Sequence, residues 1–368
     1  MRSKLRMILG ITIIFVLVAA IACAGDQGSA GPQGPQGDQG AQGSAGSQGL
    51  QGDQGAAGAQ GQAGLQGPQG QGIAAPAPLV ATGAAIDVHT HVMSQPLTDG
   101  VFGGGMPAST ADDLIARLDE ANVQQAVVLA MGYWGLPDDS NMAPENDFAA
   151  AEVGKYPDRL IGFCGINPLY ESAVGEIDRC LDLPGMVGVK LHLPGSGVDL
   201  KQPDHVAALS AVFAKMQERD APVLMHSGAA LGLPLDSDDL ATLVIIIATH
   251  PDVRLVLAHC TNDADRDEME IWLAGLAEPG LFVEENLFVD MASCLKFYED
   301  APLSKKELMV WRLRKWGLER VLFASDYLPV FPDATPAESL ETISSYPFTQ
   351  TEIDLILSND ASAWLFGP

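Results

Sequence analysis

Eight short apolar runs, alternating with stretches of helical periodicity, constrain this chain more than any other feature. The runs are residues 84–89, 125–130, 160–166, 186–192, 222–226, 254–259, 287–291 and 320–325. Most are apolar nearly throughout, as expected of strands covered on both faces in a parallel sheet. Helical patterns occupy 109–121, 205–219, 238–250 and 305–316, the first opening on Ser109–Thr110 and an acidic turn. Such alternation forces parallel strands with right-handed crossovers. Eight units close into a (β/α)8 barrel, an α/β fold whose functional groups gather at the C-terminal strand ends. Residues 84–368 supply one such domain.

Four of the runs end in metal-ligand residue types. The first carries His89 and His91, the fifth His226, the sixth His259 and the eighth Asp326. Residues i and i+2 of a strand share a face, so His89 and His91 project side by side. In a closed barrel the last strand lies beside the first, and these ends converge on one pocket. Alone, the H-x-H pair describes an exposed strand end equally well; the three later ends make it informative. Neutral imidazoles with a carboxylate suit Zn²⁺ and neighbouring divalent ions, with a position left for water. A metal makes that water acidic, and an adjacent carboxylate can take its proton. Lys190 and His192 share one face of run four. His250, before Pro251, fits a helix C-cap partner, and His205 a surface position. Asp290 on run seven lies either in the pocket or outside it. Asn146, Asp147 and Arg159 read as scaffold residues. Besides Cys23, the cysteines are Cys164, Cys180, Cys260 and Cys294, with no C-x-x-C. They read as buried thiols rather than a disulfide framework or zinc site.

The first 83 residues belong to other architectures. Residues 1–24 read as a targeting segment, with basic Arg2, Lys4 and Arg6 before an apolar run from Ile8 to Ala22. The small residues before Cys23 resemble a lipobox, with Ala20 where Leu is usual, which makes Cys23 the lipidation site. Residues 25–72 form a collagen-like repeat, with 16 glycines at every third position from Gly25 to Gly70. Its prolines are only Pro32, Pro35 and Pro68, so it fits a homotrimeric stalk or a flexible tether. Residues 73–83 are a linker. These features together place the barrel outside the cytoplasm, lipid-anchored at the outer membrane or cell surface. Three of the 20 basic residues lie in the targeting segment and three of the 47 acidic ones in the repeat. The barrel region therefore holds 17 against 44, a net charge of −27. Such a surface repels nucleic acid and anionic lipid, and it reads as a solvation adaptation rather than as a site for a cationic partner.

The order H-x-H, His, His, Asp on runs one, five, six and eight resembles the amidohydrolase superfamily of metal-dependent barrels. The wording is similar to its amidohydrolase-related branch, which also holds decarboxylases similar to aminocarboxymuconate-semialdehyde decarboxylase. The phrases are YPDRLIGFCGINP (156–168), GMVGVKLHLP (185–194), THPDVRLVLAHC (249–260), LFASDYLP (322–329) and SNDASAWLFG (358–367). The resemblance spans nearly all of 84–367. It implies His89, His91 and His226 as metal ligands, Asp326 as ligand or general base, and His259 as a catalytic residue that orients or protonates substrate. It implies one Zn²⁺ rather than two. In binuclear relatives a carbamylated lysine bridges two metals; Lys190 fits that role, a substrate-carboxylate anchor, or a recurring KLH phrase. Lys190, His192 and Arg266 are the expected substrate contacts. The expected activity is hydrolysis of a C–N or C–O bond of a small molecule. The alternative is non-oxidative decarboxylation of a small carboxylated substrate, which needs a cation for the carboxylate. Lys190, Arg266 and Lys296 are the few cations in the barrel-top loops, and that scarcity favours hydrolysis. A non-catalytic surface stalk protein is the reading of another class; the intact set of five ligand positions argues against it.

Overall fold

The computed structural model describes residues 86–134, 139–226, 236–261, 286–329, 334–359 and 361–367. The targeting segment with Cys23, the glycine repeat, the linker and Arg266 lie outside them. Eight parallel strands follow one another in sheet order: β1 (Ile86–His91), β2 (Gln125–Leu129), β3 (Leu160–Ile166), β4 (Met186–His192), β5 (Val223–His226), β6 (Leu255–Leu257), β7 (Leu287–Asp290) and β8 (Val321–Leu322). The expected (β/α)8 barrel is present. Its seam between β8 and β1 holds by backbone bonds: Val88 N–H donates to Phe323 O at 3.0 Å, His91 N–H to Tyr327 O at 2.9 Å and Asp326 N–H to His89 O at 2.8 Å. Asp87 reinforces it, accepting Ser325 N–H at 3.0 Å. Burial pushes the Asp87 carboxyl up to about 7 against these hydrogen bonds.

The helices are α1 (Gln95–Phe102), α2 (Ala111–Glu120), α3 (Met142–Val153), α4 (Ala173–Leu181), α5 (Pro203–Arg219), α6 (Ser237–Thr249), α7 (Leu303–Trp316), α8 (Pro336–Ser344), α9 (Gln350–Ser358) and α10 (Ser362–Phe366). The four helices expected from periodicity appear as α2, α5, α6 and α7. The start of α2 is set by a capping box of Thr110 with Asp113. His250 caps α6 as expected, its Nδ1 2.8 Å from Ile246 O. Periodicity does not reveal α3, because burial on several sides removes its amphipathic stripe: Met142, Glu145, Asn146, Ala149, Glu152 and Val153 are all buried. Among the described residues no helix is long and apolar enough to cross a membrane.

Two apolar layers hold the barrel. Outward strand residues such as Ala126, Val128, Val189 and Val223 pack under the helices. Inward residues such as Val88, Val127, Leu129, Phe163, Leu224 and Val256 fill the interior. Trp364 of α10 joins that interior set, its ring 5.2 Å from Phe163. Arg254 Nε–H donates to Trp364 O at 2.8 Å and holds the C-terminal helix there. Asn146 acts as the expected scaffold residue, accepting Gly165 N–H at 2.8 Å and donating to Glu176 at 2.7 Å.

The cysteines require a correction. Cys164 pairs with Cys180, joining β3 to α4, and Cys260 pairs with Cys294, joining the turns beyond β6 and β7. All four are fully buried, as thiols would be. Linear spacing concealed the pairing because each partner lies one βα unit or one strand away, adjacent only after folding. Cα separations of 6.2 and 5.8 Å are within disulfide reach.

Candidate metal centre

The site grows from the end of β1. There the register against β2 shifts: Asp87 faces Ala126, but Thr90 faces Val128, so β1 carries one extra residue. This bulge keeps Val88 in the barrel interior and also turns His89 inward. The His89 and His91 rings meet edge to face, with centroids 5.1 Å apart. His192 and His226 are register partners on β4 and β5 and stack with centroids 4.0 Å apart. The His259 ring lies 5.0 Å from that of His89 and 4.5 Å from that of His226. Every described histidine expected in the pocket is therefore there.

The outward hydrogen bonds of these rings determine what they present inward. His89 Nδ1 donates to Asp290 Oδ2 at 2.8 Å. His91 Nδ1 donates to Leu129 O at 3.1 Å, and His259 Nδ1 to Ala292 O at 2.9 Å. A neutral ring that donates through Nδ1 keeps a lone pair on Nε2. Two of those lone pairs face one carboxylate oxygen: Asp326 Oδ1 lies 3.3 Å from His89 Nε2 and 3.5 Å from His91 Nε2. Acceptors this close repel one another unless a cation offsets them; the Lys190 ammonium, 3.0 Å from His89 Nε2, does so at one of them. His226 Nε2 is buried and has no hydrogen-bond partner. Such an assembly fits a divalent metal, and the outward partners are those that orient imidazole ligands. The donor atoms of His89, His259 and Asp326 all lie within 4.8 Å of one another. The structure thus groups His259, expected as a catalytic residue, with His89 and Asp326, while His226 adds its free Nε2 alongside.

Charge follows burial. His89 is held neutral by burial, with the Lys190 charge acting in the same direction. Burial likewise lowers His91, His192 and His226, so at neutral pH these rings are uncharged, each with a single ring proton. Burial opposes ionisation of Asp326, while any positive charge on His89, His259 or His91 pulls the carboxyl below its usual range. Lys190 is buried, and its Nζ donates to His89 Nε2 at 3.0 Å. Burial pulls it down to about 8, against the pull of Asp290 and Asp326. Asp290, left open by the sequence, belongs to the site as the residue that orients it. Its Oδ1 accepts His259 N–H at 2.9 Å and Ala292 N–H at 3.0 Å, while Oδ2 holds His89.

Asp326 stands apart in access. Its side chain is 25% exposed, against 1% for His89 and 7% for His91. Ser293 Oγ donates to its Oδ2 at 3.1 Å. Its backbone is left-handed, with φ 68°, as are those of His259, Cys260 and Ser293 at 60°, 51° and 54°. That conformation costs a non-glycine residue roughly 1–2 kcal/mol, and its clustering marks the site as held by its surroundings. His192 accepts Gly195 N–H on Nδ1 at 2.9 Å, which leaves the Nε2 proton as its donor in the neutral ring. Tyr133, buried beyond β2, stacks on His192 with centroids 5.4 Å apart. Sequence reasoning missed Tyr133 and Ser293, because neither a lone tyrosine nor a lone serine in a loop carries a spacing signal.

Imidazoles and a carboxylate at the C-terminal mouth of a (β/α)8 barrel define the class of metal-dependent barrel enzymes. The chain belongs to the amidohydrolase family, whose model matches residues 86–366. Residues 23–77 match the collagen triple helix repeat. No curated protein matches the chain. Among solved structures it is similar to a probable 2-pyrone-4,6-dicarboxylic acid hydrolase from Acinetobacter baumannii, at 18% identity and TM-score 0.55 over 76% of this chain and 98% of that one. It is similar to 5-carboxyvanillate decarboxylase from Sphingomonas paucimobilis, at 16% identity and TM-score 0.57 over 76% and 98%. A third is a dihydroxybenzoic acid decarboxylase from a Polaromonas species with bound manganese, at 13% identity and TM-score 0.55 over 77% and 96%. At these identities the likeness is one of fold.

Proposed function

We propose that this protein is a metal-dependent hydrolase that cleaves a C–N or C–O bond of a small molecule. The observation that carries the reading is Asp326, a carboxylate whose Oδ1 lies 3.3 and 3.5 Å from His89 Nε2 and His91 Nε2 and whose side chain is far more open than either ring. His89, His91, His226 and Asp326 would hold one divalent ion, Zn²⁺ or Mn²⁺, with His259 beside them. A divalent ion held there would acidify a water and polarise the scissile group. Asp326 takes the proton of the attacking water and passes it to the leaving atom. Ser293 holds the other carboxylate oxygen and so fixes which oxygen takes the proton. His259 orients the substrate through Nε2, and His192 offers its Nε2 proton to a developing negative charge.

Decarboxylation is the second reading. It is supported by the Lys190 ammonium beside the cluster and by decarboxylases among the solved folds. Lys190 is fully buried, which disfavours it as a carboxylate anchor. The metal-loaded protein tested against lactones, amides and carboxylated aromatics separates the two. Ring-opened or amide-cleaved products support the hydrolase, and CO₂ release from an aromatic acid overturns it.

The same proposal places the barrel outside the cytoplasm, at the outer membrane or cell surface, anchored through Cys23. Two buried disulfides support export, because cytosolic thiols are kept reduced.

A further inference from the structure

Four of the seven left-handed non-glycine residues among the described residues, His259, Cys260, Ser293 and Asp326, are at one site. One disulfide reaches both loops that carry three of them, from Cys260 to the residue after Ser293. Pairing of β6 with β7 runs through Leu257 opposite Val289 and then stops. Just beyond, Cys260 is bonded to Cys294. Cys260 directly follows His259 in the chain, and Cys294 directly follows Ser293. Cys294 N–H donates to Met291 O at 3.2 Å and closes the turn that carries Ala292 and Ser293. Ala292 O receives the His259 Nδ1 proton, and Ser293 Oγ grips Asp326. The disulfide thus spans two loops whose next residues orient a pocket imidazole and the carboxylate.

We propose that the Cys260–Cys294 disulfide is a positioning element of the metal centre. It holds the backbones of His259 and Ser293 left-handed where the strand ladder no longer does, and through them it holds the His259 and Asp326 donor atoms together. The Cys164–Cys180 bond has no such link. It ties β3 to α4 in the outer apolar layer and serves as the internal comparison. The inference rests on the metal-centre reading above.

The test uses the full chain and Mn²⁺ alone as probe, with affinity measured by calorimetry. Cys260→Ala with Cys294→Ala is compared with Cys164→Ala with Cys180→Ala. The site pair is expected to weaken Mn²⁺ binding at least tenfold and to alter the visible spectrum of a Co²⁺-loaded sample, as loss of ligand-orienting partners does. The outer pair is expected to lower the melting temperature while leaving Mn²⁺ affinity within twofold. Equal Mn²⁺ affinity in the site-pair variant overturns the proposal, and so does an equal loss in the outer-pair variant. If the site-pair variant does not fold, graded reduction of the wild-type chain by a dithiol, with mass spectrometry of each bond, replaces it. Affinity must then fall with opening of Cys260–Cys294 and recover on reoxidation; affinity that follows Cys164–Cys180 instead overturns it. Absence of Mn²⁺ binding in the wild type sinks the metal-centre reading itself, a result distinct from either of these.

Discussion

His89 and His91 supply two inward-facing lone pairs, each set by a hydrogen bond on the far side of its ring. Replacing both with alanine leaves too few ligands for a stable site. His89→Ala with His91→Ala is expected to remain folded by circular dichroism and to lose stoichiometric metal. Full metal occupancy in that variant would show that the ligands lie elsewhere. Asp326→Asn removes the proton acceptor and keeps the shape. Turnover on any active substrate should fall about 10²- to 10⁴-fold, the usual worth of general base catalysis, with the fold unchanged. A rate near wild type would place the general base on another residue.

Helix ends in this barrel are set by local chemistry that can be tested away from the site. Glu352 closes the capping box of α9 with Thr349 and forms a bidentate pair with Arg314 of α7 at 2.6 and 2.8 Å. The Arg314 hydrogen bonds hold its carboxyl down to about 2, against the opposing effect of burial. A folded-state value below the unfolded one means that the stabilisation is fully present above about 4.5 and is lost as pH falls toward 2. The pair is partly solvent-exposed, 41% at Arg314 and 20% at Glu352, so its worth is at most about 1 kcal/mol. Glu352→Gln should therefore melt slightly lower than wild type at pH 7, with the gap closing on acidification. A gap that widens with acid would reverse the sign of the coupling.

At the scale of the whole molecule, one chain carries both a barrel and a collagen-like repeat. Glycine at every third place is the one spacing that lets three chains pack at a shared axis. The full chain without its targeting segment is expected to sediment as a trimer, and residues 80–368 alone should lack any trimerisation owed to the repeat. Gly46→Glu should lower the melting of the trimer and leave the barrel transition where it was. The same oligomeric state for both chains, with no collagen-like circular dichroism, would identify a tether instead.

The barrel was legible in the sequence because a buried parallel strand must be apolar on both faces and a covering helix must be periodic. Those demands are local, and they placed β1 through β5 and β7 to within a few residues. The ends of β6 and β8 read as strand continued to His259 and Ser325, whereas the chain leaves the ladder at Leu257 and Leu322. His259 and Asp326 then turn through left-handed backbone that no propensity would assign to them. The five ligand-type residues could be named from strand ends alone, since the barrel brings those ends together. Which nitrogen each ring presents depended on Asp290, Leu129 and Ala292, partners set by neighbouring strands. The cysteine pairs, and the bulge that turns His89 inward beside Val88, were likewise tertiary decisions. Periodicity and residue type act within a dozen residues and so are written in the chain. Register, tautomer and cross-linking depend on groups 16 to 201 residues apart, and only the closed barrel brings those together.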